Sequence, residues 1–449
     1  MASDLEIAFK VLETKTKEYQ TLWSYYDGDH PLVYSSARLQ GLFRDIDARF
    51  SENWCAVIVD SVLDRLDLTR FTVANDDQAT AALNGIWERT EMNLDADDAH
   101  LAALVCGEAY VIGWKDEDGP VECYYNDPRL CHIQYDPAHP RRKLWAAKWW
   151  IGEDERYRMT MYYPDRLDYY EAAEKGNPNA ASQFRPVEGE ETAKNPLGKV
   201  PVYHLRLNRR KIKGELSQSI RELQNAANKL VSDLMVAAEY GAFRQRVIIS
   251  DADVGDLKNA PNEIWALPAG DGVGQDTSVH EFSETALGNY LEAINHVAIS
   301  MGIISRTPKN LFIRLPTHEI SGEALLSMEA PLNSKCARYI QRFVPAWRQV
   351  AAFLMELEGM DVDPMAITPL FAKPETVQPR TRAEIRQINT NAGIPLTTTL
   401  RDEGRTDAEI EQVWADKRKE TVDNANLAQA YLDQARREMD QGAGEEQRG

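Results

Sequence analysis

The chain has 449 residues, 43% hydrophobic and 27% charged, with 51 Lys and Arg against 71 Asp and Glu for a net charge of −20. That length suffices for about two to four domains, and no run of about 18 apolar residues marks a membrane span. The acidity excludes a protein that grips nucleic acid over its whole surface, leaving contact with DNA to local basic features.

The start, Met1-Ala2-Ser3-Asp4-Leu5-Glu6, is acidic and amphipathic rather than basic and apolar, so synthesis and assembly in a cytoplasm are expected. Leu5, Ala8, Leu12, Tyr19 and Trp23 share a stripe that predicts a helix over 4–26, ended by Asp27-Gly28-Asp29-His30-Pro31. A second helix is predicted over 51–66 with Ser51 as its cap, and two more near 78–90 and 95–106. The period then changes. Strands are predicted at 109–114, 121–125, 130–135, 144–151, 157–163 and 166–170, an antiparallel meander, with a turn at Asp118-Gly119. The stretch 172–199 reads as a loop, and Val200 to Leu205 closes the β region.

From 214 onward the pattern is helical. Leu216, Ile220, Leu223, Ala227, Leu230, Leu234 and Ala237 step by four and three, a heptad seam with a capping box at Ser219 to Glu222. A helix reaching Tyr240 would be ~35–40 Å long. A β-like insert follows, from Val247-Ile248-Ile249 to Ile264-Trp265-Ala266-Leu267. Leu287, Leu291, Ile294, Ala298 and Met301 form a second seam, broken over 304–320 by Pro308 and Pro316. A third helix starts near Ser321 and carries Cys336, Ile340, Phe343, Trp347, Val350, Leu354 and Leu357 in the same step. Pro331 and Pro345 should kink it, and Gly359 and Pro364 end it. Thr381 to Glu384 and Thr406 to Glu409 each open a polar helix, and residues 441–449 are expected to be disordered. Such seams can close within one chain or between copies around an axis, and spacing does not separate the two.

Candidate chemistry is sparse. The five cysteines, Cys55, Cys106, Cys123, Cys131 and Cys336, lack a C-x-x-C pair; Cys123, Cys131 and His132 fall one partner short of a zinc site, so buried thiols and no cofactor are expected. Gly270 to Gly274 lacks the lysine and spacing of a phosphate loop, Asp251 to Gly255 misplaces the glycine of a calcium loop, and His318-Glu319 has no second histidine. Asp27, Asp29 and His30 read as a helix-ending turn rather than an acid–base pair. Asp95, Asp97 and Asp98 read as an acidic first helical turn, and are the sole support for a magnesium-dependent nuclease. Two basic groups stand out: Arg206, Arg209, Arg210, Lys211 and Lys213 before the first long helix, and Arg306, Lys309 and Arg314 between the second and third. The first reads more simply as a solvated face than as a nucleic-acid contact.

The order of features resembles the bacteriophage portal family, in the branch found in long-tailed phages of Gram-positive and actinobacterial hosts. The resemblance spans roughly residues 19–440. It is carried by Tyr25 to His30, Asn53 to Asp60, Gly107-Glu108-Ala109-Tyr110-Val111, Gly198-Lys199-Val200-Pro201-Val202, Gly214 to Ile220 and Ser321 to Leu325. It implies an α+β portal fold: a wing over 1–213, stem helices over 214–243 and 283–303 around a small β-containing clip at 244–282, and a tunnel loop over 304–320. A long kinked helix and link over 321–374, a helical crown over 375–440 and a tail over 441–449 would complete it. The implied function is a non-enzymatic, twelve-subunit ring at a capsid vertex through which double-stranded DNA is packaged and ejected. Its partners would be the terminase large subunit, a head–tail adaptor, and the major capsid and scaffolding proteins, with no membrane. Arg306, Lys309, Asn310 and Arg314 would line the channel; Leu216, Ile220, Leu223, Leu230, Leu234, Leu287, Leu291 and Ile294 would form the seam between copies. A different head–tail connector and a magnesium-dependent nuclease are the alternatives; connectors of the adaptor type are usually far shorter.

Overall fold

A computed structural model describes residues 3–30, 52–115, 119–242, 246–249, 278–281, 286–312, 322–374, 379–403, 405 and 409–422. Outside these fall Ser51, Asp118, the segments 251–255, 264–267 and 270–274, Arg314, Pro316, His318-Glu319, the capping box at 406–409 except Glu409, and the tail. The chain divides into two compact units, Met1–Leu370 and Phe371–Gly449.

Helix α1 (Asp4–Tyr26) opens with a capping box in which Ser3 and Glu6 satisfy each other's backbone N–H groups. Helix α2 (Trp54–Leu63) is capped by Asn53, three residues inside the predicted start. Strand β1 (Leu68–Val73), α3 (Asp77–Arg89) and α4 (Met92–Cys106) follow. The second half of α4 is apolar nearly all round because it is covered nearly all round: Ala99, Ala102, Ala103, Leu104 and Val105 are fully buried.

The β region is two antiparallel sheets. Strands β2 (Glu108–Lys115), β3 (Val121–Asn126) and β10 (Val202–Arg206) form one, in the order β10-β2-β3. Strands β4 (Cys131–Tyr135), β5 (Lys143–Ile151), β6 (Tyr157–Tyr162) and β7 (Arg166–Ala172) run in sequence through the other. Its last members are β8 (Phe184–Pro186) and β9 (Thr192–Lys194), both paired with β7. The stretch 172–199, expected as a loop, therefore extends the sheet; strands of three residues leave too short a period to detect. In β5, Trp145, Ala147 and Trp149 pack with Phe9 and Leu12 of α1, while Ala146 packs with Ile112 and Val202 of the smaller sheet. Burial on both faces accounts for the apolar residues on both faces of β5, from Trp145 to Ala147 and again at Trp149.

Helix α5 (Gln218–Ala242) and α6 (Leu287–Ser305) pack against each other, with strands β11 (Arg246–Ile249) and β12 (Ser278–Glu281) pairing antiparallel in the segment between them. The cap of α5 is Ser217, whose hydroxyl accepts from the Ile220 amide at 3.4 Å, rather than Ser219. Helix α7 (Gly322–Leu357) continues through Pro331 and Pro345. Its stripe Phe343, Trp347, Val350 and Leu354 is buried in the body, where Trp347 meets the ring of Trp87 at 5.3 Å between centroids. That third seam is thus a core face. Strand β13 (Ile367–Phe371) pairs with β1. In the second unit, α8 (Pro379–Asn391), α9 (Leu396–Asp402) and a helix over 409–422 enclose Leu400 and Ile410, and Arg386 pairs with Glu403.

Candidate functional site

The hairpin of α5 and α6 is anchored at its root by buried polar groups. Gln224, fully buried, accepts through Oε1 from the amides of Trp54 and Cys55 at 3.0 and 3.2 Å, and donates through Nε2 to the Glu52 carbonyl at 2.5 Å. This satisfies two N–H groups that the first turn of α2 leaves without an intrahelical acceptor. Asn225 Nδ2 donates to the Tyr25 hydroxyl at 2.8 Å. Two motifs also meet here: Asn53 Nδ2 donates to the Tyr26 carbonyl at 2.8 Å and the Tyr26 hydroxyl donates to Asp60 at 2.9 Å.

The entry to α5 crosses the end of α4 in backbone contact. Gly107 has φ +92°, and a Cβ there would stand 2.5 Å from the Lys213 amide nitrogen; a Cβ on Gly214 would collide with the carbonyls of Leu104 and Val105. Only glycine fits either position. Immediately beyond, Glu215 accepts from Lys335 Nζ of α7 at 3.0 Å and from the Tyr339 hydroxyl. Lys335 also donates to the Ser305 carbonyl, the last residue of α6, at 2.7 Å. Lys335 and Glu215 side chains are each 7% exposed. One lysine thus ties the start of α5 and the end of α6 to the long helix. Burial, followed by the Glu215 charge, pushes the Tyr339 hydroxyl up.

The chain leaves α6 by a fixed path. Arg306 adopts φ +60° as its C-cap, the Thr307 amide donates to the Gly302 carbonyl at 2.9 Å, and Ser305 bonds Thr307 at 3.0 Å between hydroxyls. Thr307 and Pro308 are buried, whereas Arg306 and Lys309 are exposed. Phe312 packs edge-on to Trp54 at 6.2 Å. Asn310 Oδ1 is buried without a hydrogen-bond partner among the described residues. Arg306, Lys309 and Asn310 therefore stand together at this exit; Arg314 lies outside the described residues.

The expected seam is unevenly covered. Leu216 and Ile220 are 3% and 1% exposed within the chain, so their surface is already used by the root. Leu223, Leu230, Leu234 and Ile294 are half-buried. Leu287 and Leu291 are 37% and 52% exposed. Ile303 and Ile304, which the heptad step passed over, are 73% and 52% exposed.

The other candidates sort by their partners. Asp95 accepts from the Tyr125 amide at 2.8 Å, and α4 starts at Met92, which puts Asp97 and Asp98 beyond its first turn. Burial raises both carboxyls. Among the described residues no group of His, Cys, Asp or Glu converges to hold a metal ion. All five cysteines are free and buried; burial pushes Cys131 up to about 12 and Cys336 up to about 11. Among the described residues no helix is long and apolar enough to cross a membrane.

In the body, the fully buried carboxylate of Glu108 lies between Lys15, the Tyr19 hydroxyl at 2.7 Å and His204 Nε2 at 2.8 Å. Burial acts to raise it, but Lys15 and then His204 outweigh that and hold it well below the usual carboxylate range. Burial lowers His204 to about 4, so its ring is neutral at pH 7 and its Nδ1 faces the Tyr135 hydroxyl at 3.3 Å. Beyond this ring a pocket of about 520 Å³ opens between the body and α7. Arg206 and Arg209 of the first basic run line it; Arg210, Lys211 and Lys213 are exposed elsewhere on the surface. Sequence reasoning missed Arg141, Lys143, Arg342 and Arg348, which line the same pocket from two other segments, 141–143 and α7, and share no spacing with the run.

Comparison with known proteins gives the following. A family model described as phage portal protein, SPP1 Gp6-like, matches residues 8–423. The chain is 23% identical over 378 residues to the portal protein of Mycobacterium phage D29, covering 79% of this chain and 76% of that protein. It is 22% identical over 385 residues to the portal protein of Mycobacterium phage L5, covering 80% and 75%. Among solved structures it is similar to a chain from the virion of a native gene transfer agent particle, with TM-score 0.44, 13% identity, and 80% and 90% of the two chains covered. A chain from the neck of an empty gene transfer agent particle gives TM-score 0.40 at the same identity and coverage.

Proposed function

The chain belongs to the SPP1 Gp6-like phage portal protein family, a structural component of a phage virion, and from that premise we propose that its copies form a ring around a bore for double-stranded DNA. The ring would sit at one capsid vertex, after assembly in the host cytoplasm. It would serve packaging and ejection without catalysis or cofactor, the packaging motor being a separate protein. The family match over 8–423 carries this reading, since it takes in the body, the hairpin, its exit and the long helix together.

In this reading residues 1–213 are the wing, α5 and α6 the stem, and 244–282 the clip that docks the terminase large subunit and later a head–tail adaptor. Residues 304–320 are the tunnel loop, 321–374 the long helix and link, and 375–440 the crown. Capsid and scaffolding proteins would contact the wing. Exposed Leu287, Leu291, Ile303 and Ile304 support a stem that finishes its burial against neighbouring copies. Arg306 and Lys309, exposed beside a turn pinned by Thr307, support a weakly basic ring at one height, where each subunit adds a small share of phosphate contact.

The test is the mass of the native assembly read with end-on negative-stain images. A ring with an axial hole is expected; a compact monomer under every assembly condition would overturn the proposal. Arg306→Ala with Lys309→Ala and Arg314→Ala should leave the ring intact and change DNA retention in filled heads. Unchanged packaging and retention in that triple variant would remove the loop's role.

A further inference from the structure

The pocket between the body and α7 carries six cationic side chains and no carboxylate. Arg141, Lys143, Arg206 and Arg209 come from the body; Arg342 and Arg348 come from α7 on either side of Pro345. Elsewhere in this acidic chain, cations find carboxylates: Lys15 with Glu108, Arg65 with Glu329, Arg89 with Glu358 and Lys335 with Glu215. Among the described residues none of the six pocket cations forms an ion pair.

What positions them is neutral. Lys143 Nζ donates to the Val202 carbonyl at 2.6 Å, Arg348 Nε to the Ile367 carbonyl at 2.9 Å, and Arg342 to the Leu207 carbonyl. The Arg206 guanidinium lies 5.1 Å from the centre of the Tyr135 ring, which is itself stacked on His204. Carbonyls and ring faces fix the direction of these groups without cancelling their charge. Burial, with the charge of Lys199 adding to it, lowers the Lys143 ammonium to about 7.

We propose that this pocket binds a phosphate oxyanion, with the size and charge of a di- or triphosphate. Five of the six cations are arginines, whose planar forks match phosphate oxygens two at a time. The volume lies in the range of small-molecule sites, and the half-enclosed shape suits a compact polyanion better than the spaced carboxylates of an extended acidic peptide. The same oxygens can come from a free phosphate compound or from a nucleic-acid backbone. In either case the bound anion would clamp α7 to the body beside Pro345, where the helix lacks one backbone hydrogen bond. The site is complete within one subunit, so it stands or falls independently of ring formation.

Calorimetric titration of the full chain with sodium triphosphate at low salt tests this. One saturable site per subunit is expected. Arg141→Ala with Arg209→Ala, both exposed, should leave the thermal unfolding curve unchanged and weaken binding about tenfold or more, from the loss of two charge-assisted contacts. Arg185→Ala, an exposed arginine on β8, should bind as the parent does. A short DNA duplex that displaces triphosphate from the parent would assign the oxyanion to a nucleic-acid backbone; failure to displace it would assign a free phosphate compound. Absence of saturable binding, equal affinity in the double variant, or stronger binding of a glutamate-rich peptide than of triphosphate would overturn the proposal.

Discussion

The α+β body and the helical hairpin that leaves it treat their apolar side chains differently. In the body, Phe71, Leu104, Tyr110 and Trp347 are fully buried, and polar groups inside it, such as His100 and Glu108, have specific partners. In the hairpin, burial is complete only at the root, at Leu216, Ile220, Ala227, Ala298 and Met301; toward the other end of α6, Leu287 and Leu291 face outward. A body that closes its own core needs nothing further to fold. A hairpin with apolar surface left over is stable in proportion to what covers it.

That contrast can be broken at several points. The largest effects belong to the body: Trp347→Ala should destabilise the isolated subunit by ~3–5 kcal/mol in chemical denaturation, because the removed ring leaves a cavity. Lys335→Met should cost about 3–5 kcal/mol by leaving Glu215 buried and unpaired, and should loosen the hairpin root in hydrogen exchange. Retention of parental stability by either variant would mean the core is not where the contrast puts it.

A smaller effect depends on pH. Burial pushes His100 down to about 3, and its Nε2 accepts from the Trp347 indole at 3.0 Å. An unfolded histidine takes up a proton near pH 6.5, whereas this one resists until far lower pH. Stability present above about pH 6.5 is therefore lost as the pH falls toward 3. His100→Gln keeps an acceptor for Trp347 and should flatten that part of the stability–pH curve. Smallest in the subunit is Leu291→Ser, expected within about 0.5 kcal/mol of the parent by denaturation. The same variant should raise the concentration at which assemblies form in sedimentation, which sharpens the contrast if only assembly responds.

Much of this was legible in residue order, and the failures have physical causes. Helix α1, strands β2 to β7 and the three long helices follow from periodicity over eight or more residues or from repeated turns, although the single meander expected over 109–170 is divided between two sheets after β3. The motifs at Gly107 and Gly214 were visible as words, but their backbone contact was not, because spacing along a chain says nothing about which glycines touch. Strands β1 and β13 pair although Thr69 and Leu370, which bond across them, are 301 positions apart in the chain, a partnership that no local pattern reports. Heptad stepping treated the stripes of α5, α6 and α7 as equivalent, yet α7 spends its stripe on the body and α5 divides its own between a buried root and a half-buried shaft. The exit residues Arg306 and Lys309 were readable as a basic cluster; the pocket cations were not, since they come from three separate segments.

The single ammonium of Lys335 holds both legs of the hairpin, which makes it a fulcrum. A 25-residue helix extends about 37 Å, so a rocking of about 5° at this pivot would carry the far end through about 3 Å. Small slippage at one buried contact would thus be magnified into a displacement as large as an atom-to-atom contact at the tip, with the rest of the body standing still.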